Sequence, residues 1–155
     1  MRLTNFSDYA LRMLMYTASA GGRLITIEEA ARAFNVSKTH LKKVANTLTR
    51  GGHLKAIRGR SGGLVLRRRP EMIKIGDVVP LTEPDFALVE CFATGNQCVL
   101  TVSCKLSRMF GEAIVSFQST LDRYALADIT PIPEDFPRRP DTTASHQGGT
   151  QHRTM

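Results

Sequence analysis

Apolar residues recur at helical spacing near the start of the chain, where residues 7–20 read SDYALRMLMYTASA. Leu11, Leu14, Met15 and Ala18 share one face of such a helix, and Gly21-Gly22 stops it. Thr26, with Glu29 three residues on, has the pattern of a capping box and opens a second helix that runs to about Phe34. Asn35-Val36 makes a tight turn. Ser37 then caps a third helix, KTHLKKVANTLTR, which Gly51-Gly52 ends.

The period changes after that. Leu54-Lys55-Ala56-Ile57 and Leu64-Val65-Leu66 are short apolar-rich runs around GRSGG, the pattern of a β-hairpin with a glycine-rich tip. Helix, helix, turn, helix and hairpin in this order predict a mainly α fold with a small β-hairpin wing. That is a winged helix-turn-helix, whose recognition helix enters the major groove while the wing reaches the backbone or the minor groove. Pro70 ends the wing, and IKIGDVVPL predicts a short helix limited by Pro80. Residues 83–103 read as irregular, with a turn at Gly95-Asn96.

From Lys105 to Ala127, Leu106, Phe110, Ala113, Ile114, Phe117, Leu121 and Tyr124 recur at helical spacing. A helix of that extent is about 33 Å long, more than a domain this small needs for its own core, so a C-terminal dimerisation helix is expected. Beyond Pro131 the chain is proline-rich and then polar, the composition of a disordered tail. The 155 residues thus divide into a winged helix-turn-helix over 1–70, an irregular loop and dimerisation helix over 71–130, and a tail over 131–155. The first two form one domain. No apolar run approaches the roughly 18 residues of a membrane span, and the N-terminus lacks a secretory pattern. A cytoplasmic protein with no membrane partner is expected.

Charge sharpens this picture. Residues 1–70 hold 14 Lys and Arg against Asp8, Glu28 and Glu29, a net of +11, whereas residues 71–155 carry a net of −4. The basic residues are not laid along one amphipathic helix, so nucleic acid is favoured over an acidic membrane surface. Lys38, Thr39, His40, Lys42 and Lys43 crowd the start of the third helix. Arg58 and Arg60 flank the wing tip, and Arg67-Arg68-Arg69 leave it. One such cluster is usually a solvated face, but here two lie on the two elements that should touch DNA. Lys42, Arg67 and Arg68 are expected on phosphates, and Lys38, His40 and Lys43 are candidates for base readout.

The three cysteines, Cys91, Cys98 and Cys104, stand as C-x6-C-x5-C. An odd number cannot all pair within one chain. Thiolates this close suit a soft metal centre. Their spacing favours an iron–sulfur cluster with a fourth, non-cysteine ligand and leaves open zinc, a thiol redox switch or plain buried cysteines. No Ser/His/Asp set is evident, and GRSGG sits in a hairpin rather than between a strand and a helix, so no enzyme is expected. A small iron–sulfur electron carrier would not require the basic half.

The order LTNFSDYALRML, VSKTHLKKVANTL, IRGRSGGLVL, IKIGDVV and C-x6-C-VLT-x2-C-x-L resembles the Rrf family of bacterial winged-helix regulators through residues 1–130. Within that family it is most similar to the nitric-oxide-sensing repressors. The resemblance implies a homodimer with one iron–sulfur cluster per subunit near the dimer interface, 4Fe–4S being favoured over 2Fe–2S. It maps the family's three cysteines onto Cys91, Cys98 and Cys104, and the fourth ligand, from the other subunit, onto Asp8. An acid in a first helical turn also suits the helix dipole without any metal. Arg12, one turn later, is placed to hold the Asp8 carboxylate or to stand as a surface charge.

The resemblance further implies release from operator DNA when nitric oxide attacks the cluster, which frees genes for nitric oxide detoxification. The family's cluster-biogenesis regulators carry a histidine three residues after the last cysteine. Ser107 stands there in this chain and argues against that branch. That branch, and a zinc- or thiol-based DNA-binding regulator, are the alternatives.

Overall fold

The computed structural model describes residues 2–84, 86–100 and 104–132. Helix α1 spans Asn5–Ser19 and begins earlier than the apolar spacing predicts, because Thr4 is its N-cap. The Thr4 Oγ1 accepts the Ser7 N–H at 3.3 Å. Its buried face is Ser7, Ala10, Met13, Leu14 and Thr17. Of the predicted stripe only Leu14 is fully buried, and Leu11, Met15 and Ala18 lie half-buried on the flank. The arc is wider than one stripe because the helices over Lys38–Arg50, Ile75–Thr82 and Leu126–Ile129 and the strand Gly63–Leu66 all pack on α1. Thr17 is tolerated there because its hydroxyl donates to the Met13 carbonyl at 2.7 Å.

Helix α2, Ile27–Phe34, starts at the predicted capping box: the Glu29 N–H donates to Thr26 Oγ1 at 3.1 Å, and the Thr26 N–H reaches back to Glu29 Oε2 at 3.5 Å. It ends at Asn35 in the left-handed conformation. Helix α3, Lys38–Arg50, is capped by Ser37, whose Oγ accepts the His40 N–H at 3.3 Å. Leu41, Val44, Ala45 and Leu48 form its buried face.

Strands β1, Leu54–Ile57, and β2, Gly63–Leu66, pair antiparallel, with Leu54 opposite Leu66 and Ile57 opposite Gly63. The far edge of β2 is also paired. Ile25 and Leu64 exchange two backbone hydrogen bonds, of 2.9 and 2.7 Å, and this anchors the wing to the segment that enters α2. A Cβ at position 63 would stand 2.7 Å from the Ile25 carbonyl oxygen, so the close approach requires glycine.

Helix α4, Ile75–Thr82, runs through Pro80 instead of ending there. Proline cannot donate to the Gly76 carbonyl one turn back. Gln118 Nε2 donates to that oxygen instead, at 2.7 Å, so the carbonyl that Pro80 leaves open is satisfied and the helix continues.

Helix α5, Lys105–Leu121, ends short of the predicted Ala127, and a separate turn of helix, α6, covers Leu126–Ile129. Between them the chain pairs in extended form with the segment entering α4. The Ile75 N–H donates to the Tyr124 carbonyl at 3.0 Å, and the Leu126 N–H to that of Ile73 at 2.8 Å. The break delivers Leu126 into the core, fully buried. An uninterrupted helix would have kept it on the α5 surface.

One apolar cluster joins Ala10, Met13 and Leu14 of α1 to Leu41, Val44 and Leu48 of α3, and on to the wing residues Leu54 and Leu64 and to Ile73, Val78 and Leu126. Helix α5 adds no fully buried residue and packs on α4, leaving Leu106, Met109 and Val115 exposed. The mainly α architecture with one two-stranded wing is the one the sequence predicts. No helix among the described residues is long and apolar enough to cross a membrane. Of the predicted tail, 131–155, the first residue is tied to α1, the Ser19 hydroxyl donating to the Pro131 carbonyl at 2.9 Å, and residues 133–155 lie outside the described residues.

Candidate DNA-binding face and cysteine loop

The turn at Asn35 and the Ser37 cap aim the start of α3 outward, and Lys38, Thr39, His40, Lys42 and Lys43 are all exposed there. At the wing tip the Gly62 N–H donates to the Gly59 carbonyl at 3.0 Å, and Gly59 takes a φ of +117°, open in practice to glycine alone. That tight tip holds Arg58 and Arg60 in solvent on either side of it. Arg67, Arg68 and Arg69 are exposed as β2 leaves the hairpin.

Lys38, Thr39 and Lys42 share one open groove with Ile57, Gly62 and Gly63, so the helix start and the wing form a continuous surface. Lys55 is a further exposed cation that the sequence reading passed over. It follows the buried Leu54 on β1, where Ala56 and Ile57 are exposed too, so no period-two alternation singles it out.

Lys38 Nζ lies 3.0 Å from Glu28 Oε1. The hydrogen bond from Lys38 is the main cause holding the Glu28 carboxyl below its usual range, and the charge of Lys42 adds to it. Beneath the face His53 is only 4% exposed, and its Nδ1 has no hydrogen-bond partner among the described residues. Its backbone links the helix to the wing: the N–H donates to Leu48 and the carbonyl accepts from Arg67, each at 2.9 Å. Burial pushes the imidazole pKa down; the Asp77 carboxylate opposes this and the Arg68 charge reinforces it.

The three cysteines are spread along the segment that joins α4 to α5. Cys91 sits in a short 3-10 turn, Glu90–Phe92, Cys98 follows a turn at Thr94-Gly95, and Cys104 is the N-cap residue of α5. The Asn96 side chain accepts the Cys98 N–H at 2.8 Å and shapes the approach to that thiol. All three are half-buried and none is in a disulfide. Among the described residues no group of three His, Cys, Asp or Glu is gathered for a metal ion, so a single chain does not bring the predicted ligands together. Three soft thiols on one loop suit an iron–sulfur group by their donor chemistry.

Asp8 is half-buried in the first turn of α1, and Arg12 grips both of its oxygens: Nε to Oδ1 at 3.0 Å and Nη2 to Oδ2 at 2.9 Å. Glu83, where the cysteine loop leaves α4, is a residue the sequence reading missed. Its Oε1 accepts both the Thr4 N–H at 2.8 Å and the Thr4 hydroxyl at 3.2 Å. Thr4 caps the helix that carries Asp8, so the root of the cysteine loop is pinned to the start of that helix. The two partners are 79 residues apart, and no local pattern announces the bond. Phe86 and Phe117, with ring centroids 6.3 Å apart, close the same junction against α5.

Residues 3–131 match the Rrf2 family, described as iron-dependent transcriptional regulators. The chain is 43% identical over 138 residues to the HTH-type transcriptional regulator NsrR of Bacillus subtilis, covering 88% of this chain and 94% of that protein. It is 45% identical over 131 residues to the NsrR of Geobacillus kaustophilus, covering 83% and 89%. A solved chain from Listeria innocua shares the fold at a TM-score of 0.67 and 23% identity, over 99% of this chain and 97% of that one. Because the family match spans both the helix-and-wing face and the cysteine loop, the chain belongs to the Rrf2 family of iron-dependent transcriptional regulators, DNA-binding proteins and not enzymes.

Proposed function

We propose that this chain is a nitric-oxide-sensing repressor. A homodimer holding an iron–sulfur cluster in each subunit binds operator DNA and leaves it when nitric oxide reacts at the cluster, releasing genes for nitric oxide detoxification. Residues 1–70 form the DNA-binding region and 71–130 the sensor loop and dimer helix. Cys91, Cys98 and Cys104 with Asp8 of the partner subunit would hold the cluster. Four ligands suit a 4Fe–4S or a 2Fe–2S cluster, and the resemblance favours the 4Fe–4S form. When bound, the cluster supplies iron that reacts with nitric oxide.

The observation that carries this reading is the place of α1. Its first turn bears Asp8, its N-cap is bonded to the root of the cysteine loop, and its buried face packs on α3 in the same core. A carboxylate is a hard donor among soft thiolates and is the most easily replaced of the four. Arg12 gives a displaced Asp8 carboxylate an ion-pair partner already in contact with it. Close-packed interiors shift as units, so a move of α1 is passed to the recognition helix. The two recognition helices of a dimer must keep the spacing of the operator half-sites to bind together. A 100-fold loss of operator affinity corresponds to about 2.7 kcal/mol of coupling, within reach of one broken inter-subunit ligand.

On the DNA, Lys42, Arg67 and Arg68 would contact phosphates. Lys38, His40 and Lys43 would approach base edges, and Thr39, Arg58 and Arg60 would complete the face. Native mass spectrometry of protein purified without oxygen tests the cofactor and the assembly together. A dimer with one 4Fe–4S cluster per chain is expected. Zinc, no metal or a monomer would overturn the sensor assignment.

A further inference from the structure

We propose that Glu28 determines specificity on this face by positioning Lys38 so that the lysine donates to a neutral base edge more readily than to a phosphate. The proposal rests on reading α3 and the wing as the DNA-binding surface.

Glu28 lies in the first turn of α2, and Lys38 is the first residue of α3. The turn at Asn35 folds one helix back on the other, and residues ten apart in sequence meet at 3.0 Å. Lys42, one turn further along α3, also acts on the Glu28 carboxylate through its charge. Among the described residues lining the groove between helix start and wing, Glu28 is the one acid, facing Lys38, Thr39 and Lys42. A carboxylate facing the cations of a surface built for a polyanion opposes generic binding, and it stands where two of those cations start the recognition helix.

The ammonium of lysine carries three donors and no acceptor. With one hydrogen bond given to Glu28, two remain for an acceptor in the groove. A guanine edge offers neutral acceptors at O6 and N7, so Lys38 can bond to it and keep Glu28. A phosphate is different. Sharing one ammonium between a phosphate and the Glu28 carboxylate sets two anions side by side, so the pair must break or the contact is lost. Generic DNA offers phosphates as the main contacts, whereas the operator also offers base edges. Glu28 therefore penalises the former more than the latter.

The test compares two duplexes at several salt concentrations with the cluster-loaded dimer. One is a 30-base-pair duplex of random sequence; the other is the duplex that the wild-type protein enriches from a randomised library. In Glu28→Gln, binding to the random duplex should tighten roughly fivefold for the dimer, the scale of two exposed ion pairs. Its salt slope should steepen by about 0.9 per protomer, one phosphate each. Affinity for the enriched duplex should change less than twofold, so discrimination falls. In a Lys38→Met background, Glu28→Gln should leave the ratio between the duplexes unchanged. Equal tightening on both duplexes, or no change on either, would overturn the proposal. If Lys38→Met and Arg60→Ala bind both duplexes as the wild type does, the DNA-binding face itself has been misplaced. If those variants weaken binding but Glu28→Gln leaves the ratio intact, only the role of Glu28 is lost.

Discussion

Helices α1, α2 and α3 each begin at a hydroxyl cap, and each buries a face in the common core. Helix α5, the longest in the described chain, begins at Cys104 without a side-chain cap hydrogen bond and fully buries no residue. The first group holds itself together with its own caps and core. The second meets mainly α4, and Val115 is 65% exposed on it. The difference separates two tasks. In the proposed function, a surface that must match fixed half-sites is built on rigid elements, whereas the segment assigned to sensing and pairing leaves apolar positions and thiols for a partner and a cofactor. On that reading, the half that signals is the half that one chain does not complete.

The largest effect expected falls on the sensing half. Cys98→Ala should abolish the cluster and lower operator affinity at least about 100-fold, the ~2.7 kcal/mol of coupling above, while circular dichroism stays unchanged. A variant that still binds the operator as the wild type does would break the link between the halves. The next two substitutions set one half against the other. Leu14→Ala, in the core between α1 and α3, should destabilise the chain by about 2–5 kcal/mol in chemical denaturation. Measured on the dissociated chain, Val115→Ala on α5 should cost less than about 0.5 kcal/mol. Equal costs would show that α5 carries as much of the fold as α1 does.

Arg60→Ala should weaken operator binding roughly tenfold with the cluster spectrum unchanged, as measured by gel shift and absorbance. A bleached protein would place Arg60 in the sensor, not on the DNA. A further effect, seen only as pH changes, concerns His53. Its folded pKa is depressed by burial, so as pH falls through the ordinary value of 6.5 the unfolded chain takes the proton first and the folded state loses stability. Neither state is protonated at higher pH, and the penalty vanishes. Melting curves between pH 7 and 5 should therefore fall less steeply for His53→Gln than for the wild type, a difference of up to about 1.4 kcal/mol per pH unit. Parallel curves would show that the imidazole is solvated.

What the sequence made legible follows the range of each signal. The capping box at Thr26 and Glu29, the Ser37 cap and the wing around GRSGG are decided within a few residues, and all three stand where the pattern predicts. The exposed cations of α3 and the wing tip follow from those elements. The missed features are those decided across the chain. Pro80 fails to end α4 because Gln118 supplies the missing donor, and α5 stops early because Leu126 is worth more in the core than on a helix surface. The bond from Thr4 to Glu83 joins two segments with no shared local pattern. The cysteines were visible as a motif, but spacing along a loop does not fix where the thiols converge. Their fourth partner lies one chain away in the proposed arrangement.

The central claim is that the state of the cysteine loop governs the DNA-binding face. Titrating nitric oxide into the anaerobic, cluster-loaded dimer, with operator binding followed in the same samples, tests it most directly. The account predicts that operator DNA is released in step with the loss of the cluster spectrum. DNA binding that persists after the cluster has fully reacted would contradict it.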